Sequence, residues 1–341
     1  MLASMVRRAR ILGVGSYVPP RVVTNDDLAR LIDTSDEWIR SRSGIEERHW
    51  VEGTTTTSDL GYEASIRAVE ASGLDLSDLD MIMVATLSPD HEFPGAACFL
   101  QEKLDLPGLP AMDIRQQCSG FVWAIATADM YIRGGMADTI LVVGAEIQSK
   151  GIDISDVGRD VAVLFADGAG AAVVQATDVS DERNDPHILS SHLHADGSHA
   201  RELWVEAPST SYTPDQWGGD WEERRAHYPQ MNGKTVFKHA VTRMPEVTLE
   251  ALDANGYTVD DVDLFVFHQA NLRINAHVAT ALGAPESKVF NTIQRFGNTT
   301  AATIPIGLDE AVRAGRLEPG MLVAAAAFGS GFTWASMLER W

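Results

Sequence analysis

The sequence predicts an α/β protein made of two halves with similar topology that share one core. Three observations support this fold class: short apolar segments alternate with helical ones, one pattern of segments occurs twice, and the 341-residue chain is long enough to bury a large core. The apolar segments lie at 81–86, 139–143, 264–268 and 322–327. Short apolar runs of this kind are typical of parallel strands that are covered on both faces.

The elements follow one another in a regular order. Segment 11–18 is short, apolar and interrupted by glycine, so it predicts a first strand and not a secretory signal. Residues 34–37 read Thr-Ser-Asp-Glu and predict a capping box for a helix that contains Trp38. Further helices are predicted at 58–71, 121–132 and 245–252. This alternation of strands and helices favours α/β layers.

A repeated pattern indicates an internal duplication. Residues 71–84 contain a helix end, a glycine, an acidic loop and a buried strand, and residues 254–267 contain the same features 183 positions later. At the same offset, 139–143 falls on 322–326. The predicted halves are 1–175 and 180–341.

Composition narrows the possible functions. The chain has 27 Lys and Arg against 48 Asp and Glu, which gives a formal net charge of -21. This charge repels nucleic acid and anionic membranes. Two cysteines exclude a disulfide scaffold and a four-thiolate zinc site, and no apolar run approaches the roughly 20 residues of a membrane helix. We therefore expect a cytoplasmic protein that binds neither nucleic acid nor membranes.

Cys118 is the first candidate for chemistry. It lies where an apolar segment ends and the predicted helix 121–132 begins. A thiol at a helix N-terminus is close to free N–H groups and to the positive end of the helix dipole, and both favour the nucleophilic thiolate. The alternative is that Cys118 is an inert, buried cysteine that acts as a small hydrophobe.

Two polar residues of the second half are further candidates. His268 ends a predicted buried strand, at the carboxyl edge of the sheet where α/β sites lie. A hydrogen-bonded core histidine is an equally good interpretation. Asn298 lies in a turn before another predicted helix, and its Gly-Asn pair alone indicates only a turn.

Three other patterns are weaker evidence of a functional site. Gly13 and Gly15 lack the third glycine of a dinucleotide-binding motif. Three histidines are close enough in sequence to suggest metal ligands, namely His192, His194 and His199. They lack a further ligand at suitable spacing and an accompanying carboxylate cluster, so we expect no metal. Segment 204–230, which contains three tryptophans, predicts a long ordered loop that is either a surface excursion or a flap over a site.

Taken together, Cys118, His268 and Asn298 in their contexts resemble the thiolase superfamily, and most closely the β-ketoacyl-acyl-carrier-protein synthase III family. The resemblance runs essentially end to end. The matching segments are 34–38, 88–97, 117–121, 166–171, 192–197, 268–271, 297–300 and 328–334. The resemblance implies a thiolase-like α/β fold with a duplicated, five-layered αβαβα architecture, and a structural role for the histidine pair at 192 and 194.

The resemblance also implies a decarboxylating Claisen condensation that starts fatty acid synthesis. Cys118 would attack an acyl-CoA thioester and form a covalent acyl-enzyme. The backbone N–H groups of Cys118 and Ser330 would hold the oxyanion. His268 and Asn298 would hydrogen-bond the carbonyl of a malonyl thioester while carbon dioxide leaves. CoA and carrier-protein thioesters would be substrates, and no cofactor or metal would be required.

Five residues match binding positions of the family. Trp38 and Arg42 resemble contacts to CoA, and Lys238 and Arg273 resemble part of the docking surface for the acyl carrier protein. Phe93 resembles the residue that crosses the dimer interface and closes the acyl pocket of the partner. The resemblance therefore implies a homodimer.

Three positions depart from the family. Val157 stands where well-known members have an arginine opposite the tryptophan, and Thr280 and Ala281 stand where carrier-dependent members have lysines. These departures bear on the second substrate. One alternative is a specialised synthase of secondary metabolism that makes alkylquinolone- or polyketide-type products from CoA substrates.

Two other enzyme classes and a non-catalytic role are alternatives. In an acyl-CoA hydrolase, His268 would activate Cys118 and water would accept the acyl group. A non-decarboxylating thiolase is disfavoured because Ser330 occupies the place of its second catalytic cysteine. A non-catalytic scaffold is the remotest interpretation, because Cys118, His268 and Asn298 are all intact.

Overall fold

The structure is a computed structural model that describes residues 5–211 and 225–341. The strands are β1 Val6–Tyr17, β2 Val22–Thr24, β3 Glu47–His49, β4 Met81–Ala85, β5 Ala111–Ile114, β6 Thr139–Glu146, β7 Gly168–Val179, β8 His187–Ala195, β9 Leu203–Trp204, β10 Gln230–Met231, β11 Leu264–Phe267, β12 Leu322–Gly329 and β13 Thr333–Arg340. The helices are α1 Asn25–Ala29, α2 Asp36–Ser43, α3 Thr57–Ser72, α4 Ala96–Lys103, α5 Gly120–Arg133, α6 Arg159–Ala162, α7 Gly233–Ala254, α8 Leu272–Leu282, α9 Ile293–Phe296 and α10 Thr303–Arg313.

Two mixed sheets form the frame of the molecule. The first has the strand order β1-β7-β6-β4-β5, and the second has the order β8-β13-β12-β11. In the first sheet, β4 pairs in parallel with β5 and β6, and in the second, β11 pairs in parallel with β12. The remaining neighbours in both sheets are antiparallel. The predicted strands that begin at 81, 139, 264 and 322 are all present, and the two sheets place equivalent strands in the same order.

Helices complete five layers. α5 and α10 contact strands of both sheets and lie between them. α3 and α4 cover the outer face of the first sheet, and α7 and α8 cover the outer face of the second. This αβαβα arrangement confirms the predicted fold class. Among the described residues, no helix is both long and apolar enough to cross a membrane.

The 183-residue offset extends to the two turns at the centre of the molecule. The 3₁₀ turns Gln117–Ser119 and Thr300–Ala302 precede α5 and α10 and contact each other. Gln117 and Thr300 both have a left-handed φ, +46° and +47°. Such strained backbone in residues other than glycine is often found at functional sites.

Two local predictions were wrong in detail. α2 has no capping box formed by Thr34 and Glu37, because Ser35 has the extended backbone of an N-cap residue and its hydroxyl accepts the Trp38 N–H. The helix predicted at 245–252 is the second half of α7, which begins earlier because the Asn232 side chain caps it.

Candidate active site

Cys118 lies between two cavities at the centre of the molecule, in the turn that precedes α5. The inner cavity has a volume of about 150 Å³ and is lined by Cys118, His268, Asn298 and apolar residues of α7. The side cavity has a volume of about 460 Å³, and its lining includes Cys118, Leu87, Gln148, Trp204 and Ser330. A thioester bound to Cys118 therefore has space on two sides.

The thiol of Cys118 is not poised as a thiolate, which corrects the expectation from the helix terminus. Burial raises the pKa of Cys118 to about 12, and the nearby Glu146 carboxylate acts in the same direction. Removal of the thiolate from water costs more free energy than the N–H groups of the turn restore. The resting Cys118 is a neutral thiol, and it would need a base to act as a nucleophile.

His268 supplies a neutral imidazole. It follows β11 and is buried, and burial lowers its pKa to about 3. The Thr303 hydroxyl donates to the Thr300 carbonyl (3.0 Å), so it accepts a hydrogen bond from Nδ1–H of His268 (2.7 Å). Nε2 of His268 is therefore unprotonated, and it has no hydrogen-bond partner among the described residues. Because His268 lines the inner cavity, a ligand in that cavity could use the unpaired Nε2.

Asn298 also lines the inner cavity, and its turn holds it rigidly. Its backbone N–H donates to the Leu164 carbonyl and its carbonyl accepts the Ala166 N–H, both at 2.9 Å. Its Oδ1 accepts the Thr300 N–H (2.9 Å), which leaves the Nδ2 amide for a ligand. The preceding Gly297 has a φ of +62°, and a Cβ there would lie 3.1 Å from the Ala166 Cβ. Only glycine fits this approach without displacing the turn.

The predicted oxyanion residues are adjacent. β12 ends at Gly329, where a Cβ would lie 2.9 Å from the Cys118 Cβ and 3.0 Å from its N atom. The backbone that leads into Ser330 therefore packs directly on Cys118, and Ser330 lines the side cavity with it.

A third cavity leads from the surface to the inner cavity. This entrance cavity has a volume of about 860 Å³, and its charged and aromatic lining includes Trp38, Arg42, Arg159, Lys234 and Arg273. It shares Met231, Gly233, Phe237 and Asn271 with the inner cavity, so the two are contiguous.

Arg159 takes a position that the sequence analysis did not assign. The guanidinium carbons of Arg42 and Arg159 lie 4.3 Å and 4.7 Å from the centroid of the Trp38 ring. Val157 is 73% exposed. Position 157 lacks the arginine of well-known family members, but Arg159 places a guanidinium beside Trp38. The two side chains are distant in sequence, so only the folded structure shows this contact.

Two predicted binding residues lie outside the cavities. Lys238 is exposed on α7, and Phe93 is 87% exposed. Neither lines the three cavities formed by the described residues of its own chain. Thr280 and Ala281 are exposed at the end of α8.

The described ends of the 204–230 segment border the site. Trp204 pairs with Gln230 in a short ladder, and Trp204, Val205 and Pro229 line the side cavity. These ends therefore form part of the cavity wall and are more than a loop on the surface. Trp217 and Trp221, on which the flap interpretation also depended, lie outside the described residues.

Two histidines of β8, His192 and His194, contact the carboxylate of Glu250. His192 Nδ1 lies 3.2 Å and His194 Nε2 lies 2.6 Å from the Glu250 carboxylate oxygens. His199 stacks on Phe332. In residues 5–211 and 225–341, no group of three or more His, Cys, Asp or Glu side chains is arranged to hold a metal ion.

Comparisons with known proteins give one consistent family. A family model described as 3-oxoacyl-[acyl-carrier-protein (ACP)] synthase III matches residues 112–197, and the corresponding C-terminal model matches residues 252–341. The chain is 47% identical to the β-ketoacyl-[acyl-carrier-protein] synthase III of Xanthomonas campestris, over 98% of each chain.

Solved structures agree with these matches. The 3-oxoacyl-[acyl-carrier-protein] synthase III of Aquifex aeolicus has a TM-score of 0.88 at 39% identity and covers 98% of this chain and 100% of its own. The priming β-ketosynthase of the R1128 polyketide pathway has a TM-score of 0.87 at 34% identity, covering 98% of this chain and 97% of its own. The chain belongs to the β-ketoacyl-[acyl-carrier-protein] synthase III family.

Proposed function

We propose that this enzyme joins an acyl-CoA starter to a malonyl group carried by the acyl carrier protein, with loss of carbon dioxide, and so initiates fatty acid synthesis. One observation carries the proposal: a buried thiol, a neutral imidazole with a free Nε2 and a fixed carboxamide surround one cavity. The curated relative at 47% identity is named for this reaction.

The first step is acylation of Cys118. His268 Nε2 takes the thiol proton as sulfur attacks the thioester carbonyl, and the N–H groups of Cys118 and Ser330 stabilise the oxyanion. The C–S bond to CoA then breaks, and the imidazolium returns the proton to the departing CoA thiolate. His268 is neutral again, as its burial requires.

The second step is decarboxylation and condensation. The malonyl thioester carbonyl accepts hydrogen bonds from Asn298 Nδ2 and from His268 Nε2–H. The second bond requires the other tautomer of His268, so after CoA leaves, Nε2 takes a proton from solvent and Nδ1 releases its proton to solvent. The Thr303 hydroxyl then rotates from the Thr300 carbonyl to donate to Nδ1. The bond to carbon dioxide breaks, its electrons form the enolate, and the enolate carbon attacks the acyl-Cys carbonyl. The released Cys118 thiolate takes a proton from solvent.

The cavities suggest where each substrate part binds. The arginines and lysine of the entrance cavity suit the phosphates of CoA, and the Trp38 ring suits its adenine. Pantetheine would pass through the contiguous inner cavity, and the acyl chain would occupy the side cavity. Arg273 and Lys238 would guide an acidic carrier protein. These steps use side chains and backbone N–H groups, and they call for no cofactor or metal.

We also propose a homodimer in the cytoplasm. Phe93 is apolar yet 87% exposed, and the adjacent Glu92 pairs with Arg115 (3.5 Å), a residue of the side cavity. A second copy would cover Phe93 and close that cavity. The two free thiols, Cys98 and Cys118, suit a reducing compartment. Sedimentation velocity should show two chains, and Phe93→Ala should weaken their association; a monomeric wild type would contradict the dimer.

A product assay tests the proposed reaction. The enzyme is incubated with an acyl-CoA, with and without a malonyl thioester, and products are identified by mass. We expect a β-ketoacyl thioester and carbon dioxide only with the malonyl donor. Release of free fatty acid without the donor would indicate a hydrolase. Efficient use of malonyl-CoA with no use of the malonyl carrier protein would indicate a specialised, CoA-dependent synthase.

A further inference from the structure

Glu146, the last residue of β6, is a buried acid that the proposed steps do not use. It is 0% exposed, and four groups donate hydrogen bonds to its carboxylate. They are the Leu87 N–H (3.2 Å), the Thr86 hydroxyl (3.3 Å), the Gln148 amide (3.2 Å) and the Ser88 hydroxyl.

The surrounding bonds fix the direction of these donors. The Ser88 hydroxyl oxygen accepts the Ile147 N–H (3.0 Å), and the Thr86 hydroxyl oxygen accepts the Ser88 N–H (3.1 Å). Each hydroxyl proton is therefore free to point at Glu146. Four donors favour an ionised carboxylate, although burial raises the pKa of Glu146 to about 7.

Glu146 connects the side cavity to the nucleophile. Two of its partners, Leu87 and Gln148, line that cavity together with Cys118. The titratable groups around this position include Cys118, whose pKa the Glu146 charge raises, and Asp167, which accepts the Gln148 N–H (2.7 Å). His268 lines the inner cavity together with Cys118. The partners contributed by segment 86–88 are neutral.

We propose that Glu146 is a positioning residue, which holds the Leu87 and Gln148 wall of the side cavity and whose ionisation governs how readily Cys118 loses its proton. The proposal rests on the assignment of Cys118 as the nucleophile. When Glu146 is neutral, the Cys118 thiolate forms more easily. When Glu146 is ionised, like-charge repulsion opposes the thiolate, and the enzyme keeps its nucleophile as a thiol until substrate is bound.

The pH dependence of Cys118 alkylation in the full-length protein tests this coupling. The rate with iodoacetamide is measured between pH 5 and 9 in a Cys98→Ser background, and the modified residue is identified by peptide mass. A thiolate forming below its pKa gives a logarithmic rate that rises with a slope of one. Coupling to Glu146 predicts that this rise flattens where Glu146 ionises and then resumes. An uninterrupted slope would overturn the proposal.

Three variants separate charge from structure. Glu146→Gln keeps the shape without the charge, so we expect alkylation above pH 8 to be about tenfold faster, the equivalent of one pH unit, and the flattening to disappear. Ser88→Ala removes a donor and Asp167→Asn removes another buried carboxylate, and both should keep the flattening. If the flattening of the rate profile persisted in Glu146→Gln, the proposal would be contradicted. If that variant does not fold, the wild-type profile decides.

The positioning role has its own measurement. Glu146→Gln and Ser88→Ala should both raise KM for longer acyl-CoA starters, because both loosen the Leu87 wall, and an unchanged KM in both would contradict this role. Alkylation requires no substrate. A flattened profile in an enzyme that makes no β-ketoacyl product would therefore sustain the coupling while contradicting the proposed reaction.

Discussion

In the proposed mechanism, Cys118 and His268, which line the same cavity, together determine how the nucleophile is activated. A thiolate that was already formed would need no base, but burial keeps both groups neutral, with the pKa of Cys118 raised to about 12 and that of His268 lowered to about 3. In the proposed mechanism, a bound thioester favours the transfer of the proton from Cys118 to His268, because its carbonyl becomes an oxyanion that the site stabilises. At the residue scale, activation therefore depends on substrate.

Substitutions of Asn298 and His268, which both line the inner cavity, should impair different steps. Asn298→Ala should leave acylation of Cys118 intact and slow decarboxylation by about 10²- to 10³-fold, the usual loss for one oxyanion donor. His268→Ala should slow both steps, because Nε2 serves as base and then as donor. Intact mass follows acylation, and carbon dioxide release follows decarboxylation. Equal loss of acylation in both variants would contradict these roles.

At the scale of elements, the active site is built from two turns that the duplication places face to face. The turn at Gln117–Ser119 carries Cys118, the proposed nucleophile. In the equivalent turn of the second half, Thr300 fixes the Asn298 side chain through its N–H. α5 and α10 begin at these turns and are anchored between the sheets. Cys118 and Asn298, to which we assign catalytic roles, are therefore held by rigid supports.

Gly297 should be intolerant of a side chain. Its φ of +62° and the close Ala166 contact predict that Gly297→Ala displaces Asn298. We expect the variant to lose about 1–3 kcal/mol of stability and most of its decarboxylation activity, measured by thermal unfolding and carbon dioxide release. Gly53→Ala is the control, because Gly53 also has a positive φ (+58°) but has no atom within 4 Å of an added Cβ. Normal decarboxylation by Gly297→Ala would contradict the proposed placement.

The exposed end of α8 should tune carrier-protein binding. The chain carries a net charge of -21, and Thr280 and Ala281 provide no positive charge beside Arg273. Because exposed ion pairs contribute about 0.2–1 kcal/mol each, Thr280→Lys with Ala281→Lys should lower KM for the malonyl carrier protein by about 2- to 30-fold. The gain should shrink with added salt. KM for malonyl-CoA is the control, and an unaltered carrier KM would place docking elsewhere.

How far the sequence predicted the site depends on where each signal lies. Cys118, His268 and Asn298 occur in local motifs at the ends of helices and strands, so the sequence alone identifies them as candidates. Arg159 and Glu146 become informative only through contacts with Trp38 and segment 86–88, which are distant in sequence. The thiolate expectation failed for a related reason: a local pattern shows a helix end, but burial depends on every layer of the fold.

At the scale of the whole molecule, Glu339 joins the two sheets. This residue of β13 is 0% exposed, and its Oε1 accepts the Ile11 N–H of β1 (3.0 Å). Its other oxygen, Oε2, has no partner among the described residues. Burial raises the pKa of Glu339 to about 8.

This shift predicts a pH-dependent stability. The folded state keeps a proton on Glu339 up to about pH 8, whereas an unfolded chain releases it near the ordinary value for glutamate, about 4.3. The folded state binds more protons across this window, so stability falls as pH rises through it. Glu339→Gln should flatten the fall in Tm between pH 5.5 and 8.5, and exposed Glu318→Gln should not. An equally steep fall in both variants would contradict the assignment.

The acyl-enzyme itself gives the most direct test of the central claim. Wild type and Cys118→Ala are incubated with an acyl-CoA, examined by intact mass, and then treated with a malonyl thioester. The account predicts that wild type gains one acyl group at Cys118 and loses it on addition of the malonyl donor, with one β-ketoacyl thioester formed per adduct, while Cys118→Ala gains none. An equal mass gain in Cys118→Ala, or a wild-type adduct that the malonyl donor does not discharge, would contradict the account.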